Sequence, residues 1–297
     1  MGTNRRIFGG LLCLMMLAAA CESTVPEVVF IVAGQSNAAG VHIRDAGEIS
    51  ARVSARALES PLWFEVGSAQ AAVGAQRWLP LGKALVQPVY RVGPEAGIAT
   101  SVLGSESRRV GLIKVAFDAA ALAQNSAPDW HPDSEGELYG RLVRQVEAAL
   151  AAKGSNSSVC LGGVFWIQGE SDAKSGGPGF IPGQPEAAST YEGNLEALIQ
   201  RMRRDLRSPD LPIVIASLNV PERDRVGRLF DYRALVMAAQ VSVTARLPNV
   251  YLVSTEGLSM APDGLHYSAQ GQWELGIRLG TALSRVLVAN ERSACAP

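Results

Sequence analysis

Continuous apolar runs alternate with helical patterns along most of this chain. The first run covers residues 28–33, and such a run is typical of a parallel strand that is buried on both faces. Similar runs cover residues 111–117, 159–167, 212–218 and 250–254. We therefore predict a strand at each of these places.

Between the runs, apolar residues recur three or four positions apart, as Leu195, Leu198 and Met202 do, which indicates amphipathic helices. The predicted helices cover residues 138–152, 191–206, 232–246 and 269–288. Alternating strands and helices predict an α/β fold, a three-layer α/β/α sandwich with a central, mostly parallel sheet. The segments 45–96 and 174–188 are the least regular, and the second, rich in Gly and Pro, is typical of a surface loop.

Composition narrows the class of protein. Hydrophobic residues make up 47% of the chain and charged residues 19%, a balance that allows a large core and excludes a disordered chain or a coiled coil. The net charge of −1 provides no overall field that would hold nucleic acid. No two of the histidines share a ligand spacing, so a zinc hydrolase has no support. We expect no metal, no organic cofactor and no nucleic-acid partner.

The first 20 residues have the pattern of an export signal. Arg5 and Arg6 precede a short apolar stretch that ends in small residues before Cys21. Small residues before a cysteine resemble the bacterial lipobox, which implies cleavage at Cys21 and lipid on its thiol; the alternative is an ordinary signal peptide. We expect a signal peptide over 1–20, a tether over 21–27, and a lipoprotein exported to the bacterial cell envelope, where only its N-terminal lipid contacts the membrane.

Two cysteines remain after this processing. Cys13 leaves with the signal and Cys21 takes lipid, so Cys160 and Cys295 are left. In an oxidising envelope these two can form a disulfide, and the alternative is a buried free thiol at Cys160. The sequence leaves both this choice and the oligomeric state open.

Polar residues follow the predicted strands at two places. Ser36 comes just after the first strand, in Gly34-Gln35-Ser36-Asn37, and Gln168 to Asp172 follow another. Open α/β sheets bind ligands beyond the carboxyl ends of their strands, so both segments are candidates for a site. A helix cap at Ser36 and a solvated turn after Gln168 are the ordinary alternatives.

A third candidate precedes the last predicted helix. Asp263 stands three residues before His266, so one tight turn can bring the carboxylate to the imidazole Nδ1, fix the tautomer and stabilise the imidazolium. The alternative is an Asx turn that caps the helix. His42 and His131 have no acid so placed and are expected at the surface or in a substrate wall. His266 is therefore the candidate general base.

Together and in this order, the segments 34–37 and 166–172 and the pair Asp263-x-x-His266 resemble the SGNH hydrolase superfamily. Within it they resemble the branch of sialate O-acetylesterases and carbohydrate esterase family 6 acetylxylan esterases. Gly93-Pro94-Glu95 matches a further block of that branch. The resemblance implies one SGNH/flavodoxin-like esterase domain over residues 28–297.

The resemblance also implies roles for individual residues. Ser36 resembles the nucleophile, His266 the general base and Asp263 the acid of a catalytic triad. Glu170 matches an acid that this branch carries and that supports the histidine from a second side. The sequence does not decide which of the two acids mainly orients the histidine.

By the same resemblance, the Ser36 backbone N–H, Gly93 and the Gln168 side-chain amide are the donors of an oxyanion hole. Aromatic rings can stack on sugars or pack in the core, and both alternatives stay open for Trp130. Possible substrate contacts are Gln35, Asn37, His42 and Trp130.

The implied activity is that of a serine carbohydrate O-acetylesterase. Such an enzyme releases acetate from acetylated glycans, of the sialate or the xylan type, through an acetyl-enzyme and without a cofactor. Since a fold does not guarantee activity, a non-catalytic glycan-binding surface lipoprotein is the first alternative. A general short-chain acyl esterase is the second.

Overall fold

A computed structural model gives the fold of residues 26–40, 48–49, 51–87, 90–104, 106–124, 128–135, 137–152, 159–177 and 185–289. The predicted signal peptide, Cys21, most of the tether, His42 and Cys295 lie outside these described residues. Cys160 is disulfide-bonded, so the alternative of a free thiol there is wrong. Its partner also lies outside the described residues, which contain no other cysteine.

Seven strands form one sheet in the order β3-β2-β4-β1-β5-β6-β7. Neighbouring strands are parallel except β2 and β3, which pair antiparallel at one edge. The strands are β1 (Val28–Gly34), β2 (Pro61–Gly67), β3 (Val73–Pro80), β4 (Val110–Phe117), β5 (Cys160–Ile167), β6 (Ile213–Ala216) and β7 (Val250–Val253). The prediction of an α/β fold with a mostly parallel sheet is confirmed.

Long helices cover both faces of the sheet, and short ones fill its edges. In the described residues they are α1 (Ser36–Ala39), α2 (Ala55–Leu58), α3 (Leu81–Ala84), α4 (Glu95–Val102), α5 (Leu138–Ala151), α6 (Glu170–Ala173), α7 (Pro185–Asp205), α8 (Arg233–Arg246) and α9 (Ala269–Ala289). None of the described helices is long and apolar enough to cross a membrane.

The strand β1 shows why the core has two layers. Its side chains alternate between the faces, as strand geometry requires. Val29 and Ile31 pack in the layer that α5, α7 and α8 cover. Val28 and Phe30 pack in the layer that α4 and α9 cover. The central strands are buried on both sides, which explains their continuous apolar runs.

The sequence missed β2, β3, the helix α4 and the short helices of the described residues, and it placed the start of α7 too late. β2 and β3 lie in the segment 45–96, which appeared irregular. Glu65 interrupts the apolar run of β2, and β3 is half-exposed at the edge, so neither gives the pattern of a buried parallel strand. The helix α7 begins at Pro185, six residues before the predicted start; proline is well suited to a first helical turn.

Candidate active site

A sharp turn after β1 places Ser36 beyond the carboxyl edge of the sheet. Gly34 pairs with Ile167 of β5 and has a φ of 140°. A Cβ atom on Gly34 would lie 2.0 Å from the Ile167 carbonyl oxygen, so only glycine fits this approach. Ser36 is the first residue of α1 and is 7% exposed.

Ser36 and His266 meet at this edge. The Ser36 Oγ lies 3.0 Å from the His266 Nε2, although the two residues are 230 positions apart. On the other side of the ring, His266 Nδ1 lies 2.5 Å from Asp263 Oδ2. A hydroxyl, an imidazole and a carboxylate therefore stand in one line, in which the imidazole can take the hydroxyl proton and the carboxylate can stabilise the resulting imidazolium.

Local hydrogen bonds hold the Asp263 carboxylate in place. Its Oδ1 accepts the backbone N–H groups of Leu265 and His266, each at 3.0 Å. The same Asp263 carboxylate thus forms both the Asx turn and the contact with the imidazole, which the sequence offered as alternatives. Burial acts to raise the pKa of Asp263, but the hydrogen bonds from the two N–H groups and from the ring outweigh it and leave this pKa below its ordinary value.

Asn37 joins three parts of the site. Its Nδ2 donates to Glu170 Oε1 at 2.8 Å and to the Leu265 carbonyl at 3.4 Å, while its Oδ1 accepts the Tyr267 N–H at 3.1 Å. These bonds use the whole side-chain amide, which is 2% exposed. The expectation that Asn37 contacts substrate is therefore wrong; the residue ties α1 to the His266 loop.

Glu170 differs from Asp263 in its surroundings. Its Oε1 is bonded to Asn37, and its buried Oε2 has no hydrogen-bond partner among the described residues. Burial raises the pKa of Glu170 above its ordinary value, and the Asn37 hydrogen bond offsets part of that effect. Asp263 is thus the acid that contacts Nδ1 of His266, the point that the sequence left open.

Two implied oxyanion-hole donors are bonded elsewhere, which corrects the expectation. The Gly93 N–H donates to Glu95 Oε1 and Oε2 at 2.9 and 3.1 Å. The Gln168 Nε2 donates to Asp172 Oδ2 at 2.5 Å and to the Ala120 carbonyl at 3.1 Å. In both cases a buried carboxylate accepts the hydrogen bond, because a buried charge without a donor is costly.

The Ser36 N–H remains available. It lies at the first position of α1, where a helix makes no internal bond to the N–H, and no other group in the described part of the chain bonds it. Gln35 also lines the site: its Oε1 accepts the N–H groups of Gly169 and Ser171 at 3.4 and 3.3 Å. Its Nε2 lies on the opposite side of that amide.

Trp130 belongs to the core, so the expected substrate contact is wrong. Its ring is 0% exposed and stands edge-on to Trp166, with the ring centroids 5.3 Å apart. Phe117 packs on it as well. His131 lies next in sequence and accepts the Asp133 N–H through its Nδ1, away from the cleft.

A cleft of about 230 Å³ opens over Ser36. Its lining residues are Gln35, Ser36, Asp118, Ala119, Glu170, Ser171, Lys174, Arg228, Phe230, Leu265 and His266. Asp118 directly follows β4, so the strand-end rule could have found it. Lys174, Arg228 and Phe230 lie in irregular segments whose sequence gives no comparable signal.

Two further features bear on the choice of site. A larger cavity, about 540 Å³, lies at the amino ends of β2 and β4, and its lining contains none of the predicted site residues. We take the smaller cleft as the site because it holds the nucleophile–base contact. Among the described residues, no three His, Cys, Asp or Glu side chains are grouped to hold a metal ion.

A serine, an imidazole and a carboxylate in line at the carboxyl edge of a parallel sheet define an α/β protein with the arrangement that serine hydrolases use. The comparison with family models then gives the particular family. The model of the carbohydrate esterase, sialic acid-specific acetylesterase family matches residues 26–285. The chain belongs to this family, and membership implies a hydrolase that acts on ester bonds.

Known proteins agree with this assignment. The probable carbohydrate esterase At4g34215 of Arabidopsis thaliana is 29% identical over 197 residues, which are 65% of this chain and 64% of that protein. The chain thus spans slightly less than two thirds of the relative. The solved structure of the Arabidopsis protein has a TM-score of 0.60 at 26% identity and covers 87% of this chain and 98% of its own.

Two more distant structures share the fold. XAC1771, a carbohydrate acetylesterase from Xanthomonas citri, has a TM-score of 0.56 at 15% identity, over 90% of this chain and 57% of its own. NanS has a TM-score of 0.55 at 16% identity, over 90% of this chain and 99% of its own. The predicted resemblance to the SGNH carbohydrate esterases is confirmed.

Proposed function

We propose that the protein is a serine carbohydrate O-acetylesterase that releases acetate from acetylated glycans through an acetyl-enzyme. The observation that carries the proposal is the line of contacts from Ser36 Oγ through His266 to Asp263, with 3.0 Å between Oγ and Nε2. This line lies in the wall of an open cleft. Family membership supplies the acetyl ester of a carbohydrate as the substrate class.

The chemistry follows from these contacts. A serine hydroxyl is a weak nucleophile at neutral pH and needs a base within hydrogen-bond reach. As Ser36 Oγ attacks the acetyl carbonyl carbon, His266 Nε2 takes its proton and Asp263 stabilises the imidazolium. The sugar alcohol then leaves with the proton from Nε2. Water attacks the acetyl-enzyme, gives its proton to His266, and acetate leaves with Ser36 restored.

The oxyanion formed in each step needs donors. We assign the Ser36 N–H to this role because it is bonded to nothing else in the described residues. The Gln35 Nε2 is the second donor of this proposal, since Gly169 and Ser171 fix the amide through its oxygen. Removal of one oxyanion-hole donor typically costs a factor of about a hundred or more in rate.

Replacement of Ser36 by alanine tests the proposal. We expect Ser36→Ala to lower the hydrolysis of 4-nitrophenyl acetate and of acetylated sialic acid or xylan by at least about a thousandfold, because among the described residues Ser36 is the hydroxyl in contact with His266 Nε2. The melting temperature should stay near that of the wild type. Mass spectrometry of the quenched wild-type reaction should find the acetyl group on the peptide that contains Ser36.

Ser171→Ala is the matched control. Ser171 lines the same cleft but has no contact with the imidazole in the described structure, so this variant should keep most of the activity. Full activity in Ser36→Ala would overturn the proposed function. A rate that rises with the length of the acyl chain would instead favour a general acyl esterase.

The cellular location is a separate proposal. The signal pattern before Cys21 supports an envelope lipoprotein. Incorporation of labelled palmitate into the protein, abolished in Cys21→Ser, is the expected result. Labelling that persists in this variant would contradict lipidation at Cys21.

A further inference from the structure

A loop over residues 222–230 packs against the segment that carries Asp263. The loop is closed by a hydrogen bond from the Phe230 N–H to the Glu222 carbonyl at 2.9 Å. From within it, the Arg225 N–H donates to the backbone carbonyl of Asp263 at 3.0 Å. The position of the triad acid therefore depends on contacts with this loop as well as on its own Asx turn.

Asp224 fixes the conformation of the loop and the direction of Arg228. Its Oδ1 accepts the N–H groups of Val226 and Arg228 at 3.0 and 2.8 Å, and its Oδ2 forms an ion pair with Arg228 Nε. The Asp224 side chain is 0% exposed, and a buried carboxylate with several donors is held firmly in place. The guanidinium group bound to it is therefore fixed as well, and its Nη2 lies 3.7 Å from Asp263 Oδ2.

One oxygen of Asp263 thus lies near two cationic partners of the cleft wall. Asp263 Oδ2 is 2.5 Å from His266 Nδ1, a hydrogen-bond distance, and 3.7 Å from Arg228 Nη2, an ion-pair distance. The Arg228 side chain is 24% exposed, so water and salt screen its charge only in part. When His266 takes a proton, the new imidazolium and the guanidinium share this carboxylate, and the positive charge of Arg228 disfavours the protonated ring.

Other charged groups also face the imidazole and belong to the same balance. The remaining charged residues that line the cleft are Asp118, Glu170 and Lys174. Burial first, and then the charge of Arg228, lower the pKa of Lys174. Lys174 forms no ion pair with Asp263 in the described structure, whereas Arg228 lies within ion-pair distance of it. Arg228 is therefore the cation best placed to act on His266 through the triad acid.

We propose that Arg228, held by Asp224, is a positioning residue that weakens the hold of Asp263 on the imidazolium, so that His266 stays neutral at a lower pH than Asp263 alone would allow. A general base acts only in its unprotonated form. The charge of Arg228 therefore extends the working range of the enzyme toward acid. This inference rests on the proposed function, since it concerns the base of that reaction.

Replacement of Arg228 by methionine tests this role, because methionine removes the charge and keeps much of the side-chain length. The acid limb of the kcat/KM profile should move to higher pH by about half a pH unit or more in Arg228→Met. Activity should therefore fall more at about pH 6 than at about pH 8. The assay uses 4-nitrophenyl acetate, which has no sugar that Arg228 could contact.

NMR gives a readout that does not depend on catalysis. The midpoint of the ring titration of His266, measured without substrate, should move in the same direction and by a similar amount in Arg228→Met. Loss of the signals in His266→Gln assigns them to this residue. A purely structural role of Arg228 would lower the melting temperature or kcat and would leave both midpoints where they are in the wild type.

Further variants fix the sign of the effect. Arg228→Lys restores the charge and should recover most of the shift, although lysine lacks the planar fork of arginine. Asp224→Asn removes a negative charge behind Arg228 and should move the acid limb to lower pH, opposite to Arg228→Met. The matched control is Arg223→Met, which removes the same charge from an exposed position of the same loop and should keep the wild-type profile.

Unchanged midpoints in Arg228→Met, or an equal shift in Arg223→Met, would overturn the proposal. A loss confined to acetylated glycans, with a wild-type profile on 4-nitrophenyl acetate, would make Arg228 a substrate contact and would overturn it too. A failure of the proposed function looks different: the wild type would not hydrolyse 4-nitrophenyl acetate at any pH. The NMR comparison would still measure the effect of Arg228 on His266 in that case.

Discussion

Two polar clusters, one around Glu95 and one around Ser36, differ in whether they are enclosed by the protein or open to the cleft. In the first, Lys114 of β4 and Glu95 are both 0% exposed, with 2.7 Å between Nζ and Oε2. Lys114 also donates to the Arg91 carbonyl at 2.8 Å and lies over the Tyr90 ring. The Gly93 N–H also donates a hydrogen bond to the Glu95 carboxylate. Every charge in this cluster meets a partner inside the protein.

The second cluster, Ser36, His266 and Asp263, opens into the cleft. Its hydroxyl and imidazole have partners on one side and the cleft on the other. The enclosed pair holds the turn at Gly93, where a Cβ atom would lie 2.8 Å from the Ala38 carbonyl oxygen and so would clash with α1. An enclosed charge thus stabilises a backbone position, whereas a charge at the edge of the sheet can act on a ligand.

The largest expected effect separates the two acids of the open cluster. Asp263→Asn should lower kcat on 4-nitrophenyl acetate by about a thousandfold or more, because asparagine cannot stabilise the imidazolium and favours the wrong tautomer. Glu170→Gln should stay within about tenfold of the wild type, since Glu170 is bonded to Asn37 and Asp263 already holds Nδ1. Steady-state kinetics with both variants is the measurement. A larger loss in Glu170→Gln would make Glu170 the orienting acid.

The next prediction concerns stability and removes the Lys114–Glu95 ion pair of the enclosed cluster. Lys114→Met should lower the free energy of unfolding by about 3–5 kcal/mol, because it leaves the Glu95 carboxylate buried without a cation. The double variant Lys114→Met/Glu95→Gln should recover much of this loss. Burial lowers the pKa of Lys114, and Glu95 offsets part of that effect, so the pair depends on both members.

Urea unfolding measures these differences. The matched control is Arg246→Met, which removes two surface ion pairs, with Glu192 and with Glu196, and should change stability far less. If Lys114→Met were as stable as the wild type, the ion pair would contribute nothing to the fold. The position of this ion pair next to the Gly93 turn would then need an explanation other than stability.

The sequence predicted the parts of the site that depend on local order. Ser36 follows an apolar strand through a glycine turn, and Asp263 reaches His266 within one Asx turn. The central strands were predicted because burial on both faces makes them uniformly apolar. In these cases the physical cause lies within a few residues of the side chain concerned.

The sequence could not predict contacts that depend on the nearest partner in space. Glu95 takes the Gly93 N–H, and Asp172 takes the Gln168 amide, so neither donor reaches the cleft. Asp172 lies 0% exposed in the structure, which no spacing in the sequence indicates. Lys174 enters the cleft from a segment without periodicity. Such competition between acceptors is decided only when the chain is folded.

The smallest expected effect uses Glu170, which is buried like Glu95 but bonded to an amide instead of a lysine. Because burial raises its pKa, the folded protein retains a proton that the unfolded chain releases between the ordinary pKa and the raised one. The resulting stability is complete below the ordinary pKa of a glutamic acid and is lost as the pH rises through the folded-state pKa.

Glutamine imitates the neutral carboxyl group and can keep the hydrogen bond from Asn37. Glu170→Gln should therefore gain stability relative to the wild type as the pH rises from about 4 to about 8. Urea unfolding across this range measures the difference between the two proteins. The argument fails if the difference is constant with pH, which would mean that folding leaves the pKa of Glu170 at its ordinary value, or if it changes in the opposite direction, which would mean that folding lowers this pKa. The matching variant Glu95→Gln should instead lose stability, because it removes the partner of a buried cation.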